Sequence, residues 1–215
     1  MSLKKFKPIT AGTRWRIGNA YAEITTNQPE KSLLEPQSKT AGRNAQGRRA
    51  MRYKGGGHRQ HYRLIDFKRN KKDIEATVMT IEYDPNRTAN IARLKDKNGS
   101  YSYIIAAQGM KVGQKILSGE EIAIENGNRL PLKNIPVGSV IHSVELQPGK
   151  GAQIARSAGA SAQLVAKEEL TAQIKMPSGE VRIVNINATA SLGSVGNEQH
   201  QNVKLGKAGR VRKMG

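Results

Sequence analysis

Residues 73–106 read DIEATVMTIEYDPNRTANIARLKDKNGSYSYIIA. Three runs rich in β-branched and aromatic side chains, at 73–83, 89–94 and 101–106, are cut by two turns. Asp84-Pro85-Asn86 is a turn built on proline, and Lys97-Asn98-Gly99-Ser100 carries the signal of a two-residue hairpin. Working outward, residues 62–67 and 115–117 add a strand on either side, separated from the central three by Lys71-Lys72 and by the glycine-flanked stretch 109–113. Five short alternating strands predict a small barrel of the oligonucleotide-binding type.

A boundary is expected near Glu125-Asn126-Gly127-Asn128, after which a second strand series begins. Runs at 139–146, 152–155, 162–167, 172–176 and 181–185 follow at roughly ten-residue spacing, as in all-β domains. Gly138, Pro148-Gly149, Gly159 and Pro177-Ser178-Gly179 punctuate them. Helix is nearly absent from this reading, with a turn or so at 113–120 and at 193–200. The predicted class is therefore all-β, with an extended basic arm over 1–60, a first barrel over 61–125, a second over 126–199 and a basic extension over 200–215.

Charge follows the same division. The chain carries a formal net charge of +19, yet residues 73–199 hold thirteen bases against thirteen acids. Residues 39–72 hold twelve Lys or Arg against Asp66 alone, and residues 200–215 hold five bases and no acid. Like charges at this density repel and keep a free chain extended, so the flanks require a polyanion, and nucleic acid is the natural one. Residues 1–60 show no sustained period of two or 3.6, which predicts an arm ordered only against its partner. A solvated leader is the alternative. The interleaving of Arg43, Arg48, Arg49, Arg52, Lys54, Arg59 and Arg63 with Gly and Asn argues for phosphate contacts instead.

With 37% hydrophobic and 4% aromatic residues, the composition is lean for one large core and fits two small barrels better. The absence of cysteine removes disulfides and thiolate metal sites and suits a reducing cytosol. The start MSLKKFKP has no apolar core after its bases, and no run of about 18 apolar residues occurs, so neither export nor membrane insertion is expected.

The sharpest local constellation is residues 52–63, RYKGGGHRQHYR, in which bases and rings capable of stacking surround three glycines. Rings stack on unpaired bases while Lys and Arg take phosphates, the combination suited to irregular RNA. A flexible glycine linker is the plain alternative. His58 and His61 lack a nearby third ligand, so no metal is expected there. Arg87, in the proline turn, is expected to project from a rigid barrel edge, and Arg156 is the single charge in a run of small residues.

Chemistry of the chain's own finds no support. Neither Gly149-Lys150-Gly151 nor Gly206-Lys207-Ala208 fits a phosphate-binding NTPase loop, and no Gly-x-Ser-x-Gly elbow is present. His142 reads as a packed strand histidine, and His200, with Glu198 two residues away, forms no recognisable catalytic unit. No cofactor or small-molecule substrate is implied.

Taken in order, SKTAGRN (38–44), GGGH (55–58), YRLIDFKRN (62–70), EYDPNRTAN (82–90), NIPVGS (134–139), PGKG (148–151), ARSAG (155–159) and GKAGR (206–210) resemble the bacterial branch of the family formed by the second protein of the large ribosomal subunit. The resemblance covers nearly the whole chain. It implies an oligonucleotide-binding barrel followed by an SH3-like barrel, with arms threaded into large-subunit rRNA near the peptidyl transferase centre. It also implies roles in subunit association, tRNA binding and peptide-bond formation, with neighbouring ribosomal proteins and the small subunit as further partners in the cytoplasmic ribosome. Carried over motif by motif, RNA contacts fall on Arg43, Arg48, Arg49, Arg52, Lys54, His58, Arg59, His61 and Arg63 in the arm. They continue on Lys68, Arg69, Lys71 and Lys72, on Arg87, Lys150 and Arg156, and on Lys204, Lys207, Arg210, Arg212 and Lys213. Family members usually continue into a Gly-, Pro- and His-rich tail whose histidine has been tied to peptidyl transfer. This sequence stops at Gly215, so no role through that histidine is expected of it. A transferase and a general DNA- or polyanion-compacting protein are the two competing readings.

Overall fold

A computed structural model describes residues 3–215. The arm carries β1 (Leu3–Lys5), a helical turn α1 (Ala11–Arg14) and β2 (Ile17–Asn19), with β1 and β2 paired as an antiparallel ribbon. Further on, β3 (Leu34–Pro36) pairs with β4 (His61–Arg63). The first barrel is built on β5 (Ala76–Glu82), β6 (Ile91–Asp96), β7 (Tyr101–Ile105) and β8 (Lys115–Ile116), in the order β7-β6-β5-β8. The second uses β9 (Arg129–Pro131), β10 (Val140–His142), β11 (Ala162–Lys167), β12 (Thr171–Lys175), β13 (Val181–Asn185) and β14 (Thr189–Leu192), in the order β13-β12-β11-β10-β14-β9. A short helix, α2 (Ala208–Arg212), lies near the end of the chain. This is an all-β protein with an oligonucleotide-binding barrel followed by an SH3-like barrel.

Alternation explains the strands. In β12, Ala172 and Ile174 point inward, and in β11, Ala162 and Leu164 do. In β5 a bulge between Val78 and Thr80 re-phases the strand. Val78 and Ile81 are both buried as a result, while Met79 faces out. The turn between β6 and β7 sits one residue earlier than a two-residue hairpin would place it. Gly99 N–H donates to Asp96 O at 2.9 Å and Asp96 N–H to Ser100 O at 3.0 Å. Gly99 alone takes the left-handed conformation, at φ +80°, which is the three-residue loop rather than the two-residue one.

Several expectations change. The run 62–67 is not one barrel strand: β4 ends at Arg63 and belongs to the arm ribbon, leaving Ile65 bridged to Tyr103 on the open edge of β7. The run 139–146 stops at His142, because Ser143 adopts φ +49° and breaks the ladder. Residues 152–155 hold only the Val144–Ile154 bridge. Helical turns fall at α1, at α2 and, as single 3-10 turns, at 31–33, 132–134 and 198–202, and none falls at 113–120. The arm, expected to be ordered only against a partner, contains three short strands, a turn of α-helix and a 3-10 turn at 31–33.

The barrels are locked together. Val195, from the second, bridges Ala107 and packs with Ala89 and Ile105 of the first. Gly196 N–H donates to Ala106 O at 2.9 Å and Gln108 N–H to Ser194 O at 2.8 Å, while Ser118 bridges Arg129 across the junction. His142 lies against this seam, 2% exposed, its Nδ1–H donating to Gly193 O at 2.9 Å.

Burial pushes the His142 imidazole down to about 4 from an ordinary 6.5, and the Arg69 and Arg129 guanidiniums add to the shift. The unfolded chain takes up a proton at this histidine near 6.5, whereas the folded chain resists until about 4. Stability should therefore fall as pH drops through that window, by about 3 kcal/mol for this group. Urea unfolding at pH 7, 5.5 and 4.5 should show the loss, and His142→Gln should flatten it between pH 6.5 and 5. An equal slope in both proteins would assign the loss to other groups.

Candidate nucleic-acid interface

The arm's cations are held out by a tight loop. Arg43 bridges Arg49, Asn44 N–H donates to Arg48 O at 2.9 Å, and the Asn44 side chain accepts the N–H groups of Gln46 and Arg48. Arg43 Nη1 donates to Gly47 O at 2.9 Å. Arg43, Arg48, Arg49, Arg52, Lys54, His58, Arg59 and His61 are all exposed. Arg63 is half-buried and donates to His61 O at 2.9 Å.

The tail comes back to this arm. Ile17 and Lys204 exchange both backbone hydrogen bonds, at 3.0 and 2.9 Å. Arg210 donates to Gly12 O at 3.1 Å and to Leu205 O, and His58 N–H donates to Lys213 O at 2.9 Å. A Cβ on Gly57, whose φ is +61°, would lie 2.5 Å from the Met214 carbonyl oxygen. This glycine therefore makes room for the chain's own tail, a use its expected phosphate role had hidden. Lys204, Lys207, Arg212 and Lys213 remain exposed around α2, and Arg210 is half-buried.

The proline turn differs from expectation. Asp84 is fully buried and accepts the Asn86 N–H at 2.9 Å and Arg87 Nε–H at 2.5 Å. The Arg87 side chain is only 16% exposed and lies 5.9 and 5.7 Å from the Tyr62 and Phe67 rings. It turns inward instead of projecting, because a buried carboxylate needs a partner. Next to it, Thr88 ties the first barrel to the second: its Oγ1 accepts the Ala158 N–H at 3.1 Å and its carbonyl accepts Asn197 Nδ2 at 2.5 Å. Arg156 is the exposed one of the pair, 4.9 Å over the Phe67 ring and bonded to Ala152 O at 3.2 Å.

The predicted bases near the first strand also divide. Arg69 donates to Gly127 O at 2.8 Å and Leu117 O at 3.2 Å, closing the seam, and burial lowers its guanidinium from the usual range. Lys71 pairs with Asp96 and Ser100. Lys68, Lys72 and Lys150 are exposed. Between the barrels a cavity of about 440 Å³ is lined by Lys68, Lys72 and Lys133, with the Arg129–Glu145 pair also on its wall. Lys133 escaped the sequence reading because it stands alone in a neutral segment. Only the fold brings it opposite Lys72. Among the described residues no cluster of three His, Cys, Asp or Glu could hold a metal, and no helix is long and apolar enough to cross a membrane.

An oligonucleotide-binding barrel locked to an SH3-like barrel, flanked by a strongly basic arm and tail, defines a structural RNA-binding protein of the ribosomal class. Residues 30–118 match the family described as "Ribosomal Proteins L2, RNA binding N-terminal domain", and residues 125–215 match "Ribosomal Proteins L2, C-terminal domain". The chain belongs to the ribosomal protein L2 family. It is 58% identical over 212 residues to large ribosomal subunit protein uL2 of Cytophaga hutchinsonii, covering 99% of this chain and 76% of the relative. Similarity to large ribosomal subunit protein uL2 of Flavobacterium johnsoniae is 56% over 215 residues, covering 100% and 78%.

Arg87→Ala should destabilise the fold by about 3 to 5 kcal/mol, since it strands the Asp84 carboxylate, and Arg87→Lys should not restore it fully. Arg156→Ala should cost only about 0.5 to 1 kcal/mol, the value of an exposed ring contact. Thermal melting of the three variants beside the wild type checks both expectations. Equal destabilisation of Arg87→Ala and Arg156→Ala would contradict the inward role of Arg87.

Proposed function

We propose that the chain is a structural rRNA-binding component of the bacterial large ribosomal subunit, working without catalysis of its own. Placement near the peptidyl transferase centre, with support for subunit association, tRNA binding and peptide-bond formation, is the finer form of this proposal. Neighbouring ribosomal proteins and the small subunit, in the cytoplasm, are the further partners it entails. The relatives are named as large-subunit proteins, which supports the coarser part.

One observation carries the RNA reading. Bases that sit inside the barrels are buried or half-buried against carboxylates or carbonyls, as Arg69, Arg87 and Arg129 are, whereas those of the arm loop and tail, the half-buried Arg210 apart, stay exposed. Exposed cations without local acids release condensed counterions when phosphates replace water, and this supplies affinity. Contacts held on the rigid barrels, above all Arg156 and Lys150, set register and orientation.

If on the order of 6 to 10 phosphates are neutralised, affinity for large-subunit rRNA should drop roughly a thousandfold or more between 50 and 200 mM salt. Filter binding across that range measures it, and chemical footprinting with and without the chain locates the contacts. A flat isotherm would refute the electrostatic account. Equal affinity for duplex DNA at matched salt would favour the compacting reading instead. Turnover by the RNA-free chain would favour a transferase.

A further inference from the structure

The groove between the barrels is walled in part by the seam itself, since Arg69, Ser118 and Arg129 line it. Its cavity of about 440 Å³ falls within the size range of small-ligand sites, which favour junctions between domains. Its rim is cationic and accessible: Lys68 and Lys72 are exposed, and the Lys133 side chain is 40% exposed. The floor is neutral and fixed by the buried Arg129–Glu145 pair, whose members are 3% and 2% exposed. Arg129 Nη2 lies 3.2 Å from Glu145 Oε1 without hydrogen-bond alignment, so a buried donor on the groove wall is left unsatisfied.

At the rim, Glu120 accepts from Lys133 Nζ at 2.8 Å and stands 3.9 Å from Lys72 Nζ. The Lys133 ammonium holds the Glu120 carboxyl below its ordinary range. An exposed pair of this kind contributes little to stability. Glu120 therefore marks a position between two ammonium groups that an oxyanion can take by displacing it. Its backbone carbonyl is bound separately by Asn134 Nδ2 at 2.6 Å, so the loop stays in place when the side chain swings away. The buried Pro131 and the exposed Asn187 also line the groove. Among the described residues no aromatic ring lines the groove.

We propose that this groove receives one unstacked nucleotide of the bound RNA, its phosphate between Lys72 and Lys133 in place of the Glu120 carboxylate and its base against Pro131 and Asn187. The proposal rests on the RNA-binding reading and deepens it. Single-stranded positions in folded RNA are recognised by splaying a base out of the stack, and a cationic rim over a small polar cleft suits that mode.

The test is binding of the full chain to large-subunit rRNA at fixed salt, with melting curves as the control for folding. Asn187→Trp fills the cleft from an exposed position and removes no charge. It should weaken binding about tenfold, the scale of one lost base contact, while leaving the salt slope unchanged. Glu120→Gln should tighten binding several-fold by removing the internal competitor. Lys133→Gln should weaken binding and reduce the salt slope by about one. Wild-type affinity in Asn187→Trp, or weaker binding in Glu120→Gln, would overturn the proposal while leaving the RNA reading intact. Failure of the wild type to bind rRNA would overturn the RNA reading itself. Titration with AMP, GMP, CMP and UMP separates the two sources of the same chemistry. Tight binding of a free mononucleotide, undiminished in the rRNA complex, would assign the groove to soluble nucleotides and overturn the RNA form.

Discussion

Arg129 and Glu145 are almost wholly withdrawn from water, and the geometry around the seam is arranged to make that tolerable. Two charges in an apolar interior cost more in lost hydration than their attraction returns unless every remaining donor and acceptor finds a partner. Here Glu145 accepts backbone N–H groups from Gly151 at 2.9 Å and Thr189 at 3.0 Å, and Arg129 donates to Thr189 Oγ1 at 2.8 Å and Ser143 O at 3.1 Å, while its Nη2, 3.2 Å from Glu145 Oε1, is left without an aligned partner. Burial alone would push the Glu145 carboxyl up. The Thr189 N–H, the Arg129 charge and the Gly151 N–H hold it below its ordinary value. These bonds join β9, β14, the residue after β10 and the loop at 151, so the second barrel's open side is closed by polar groups and not by hydrophobic side chains.

The same logic sorts the arginines of the whole molecule. A base that approaches the seam must meet an acid or a carbonyl, which is why Arg69 ends on Gly127 and Leu117 and Arg87 ends on Asp84. On the first barrel, Arg93 lies 3.4 Å from Glu30 and 3.6 Å from Glu82. Bases beyond the barrels meet few acids, and their charge stays available to solvent or to a phosphate. Net charge of +19 is thus a property of the flanks, produced by local pairing within the core as much as by composition.

How much of this was legible follows from the kind of signal each element leaves. Strands β11 and β12, and β5 on either side of its bulge, bury apolar residues at alternate positions, and a period of two can be read directly, whereas β7 buries Tyr103 to Ile105 in a row and β13 buries only Val184. β9 and β14 were missed because their interior positions include Arg129 and Ser191, whose burial is intelligible only once Glu145 is in place. The arm's exposed cations were legible from density alone. Arg87 was misread since a turn at a strand end ordinarily points outward, and no local feature reveals that Asp84 is buried. Lys133 was invisible for the opposite reason, its partner Lys72 being sixty-one positions earlier in the chain.

That last contrast extends to the termini. The leader and the tail are the two ends of the sequence, and charge alone would drive them apart. Yet Ile17 pairs with Lys204, Arg210 with Gly12, and Lys213 with His58. Each of these contacts engages a backbone carbonyl, so none neutralises a cation. These contacts bring the basic leader and tail together without pairing their charges, an arrangement whose repulsion falls when phosphates enter between them. The backbone contacts fix where the cations stand, and the polyanion supplies the reason for them to stand together.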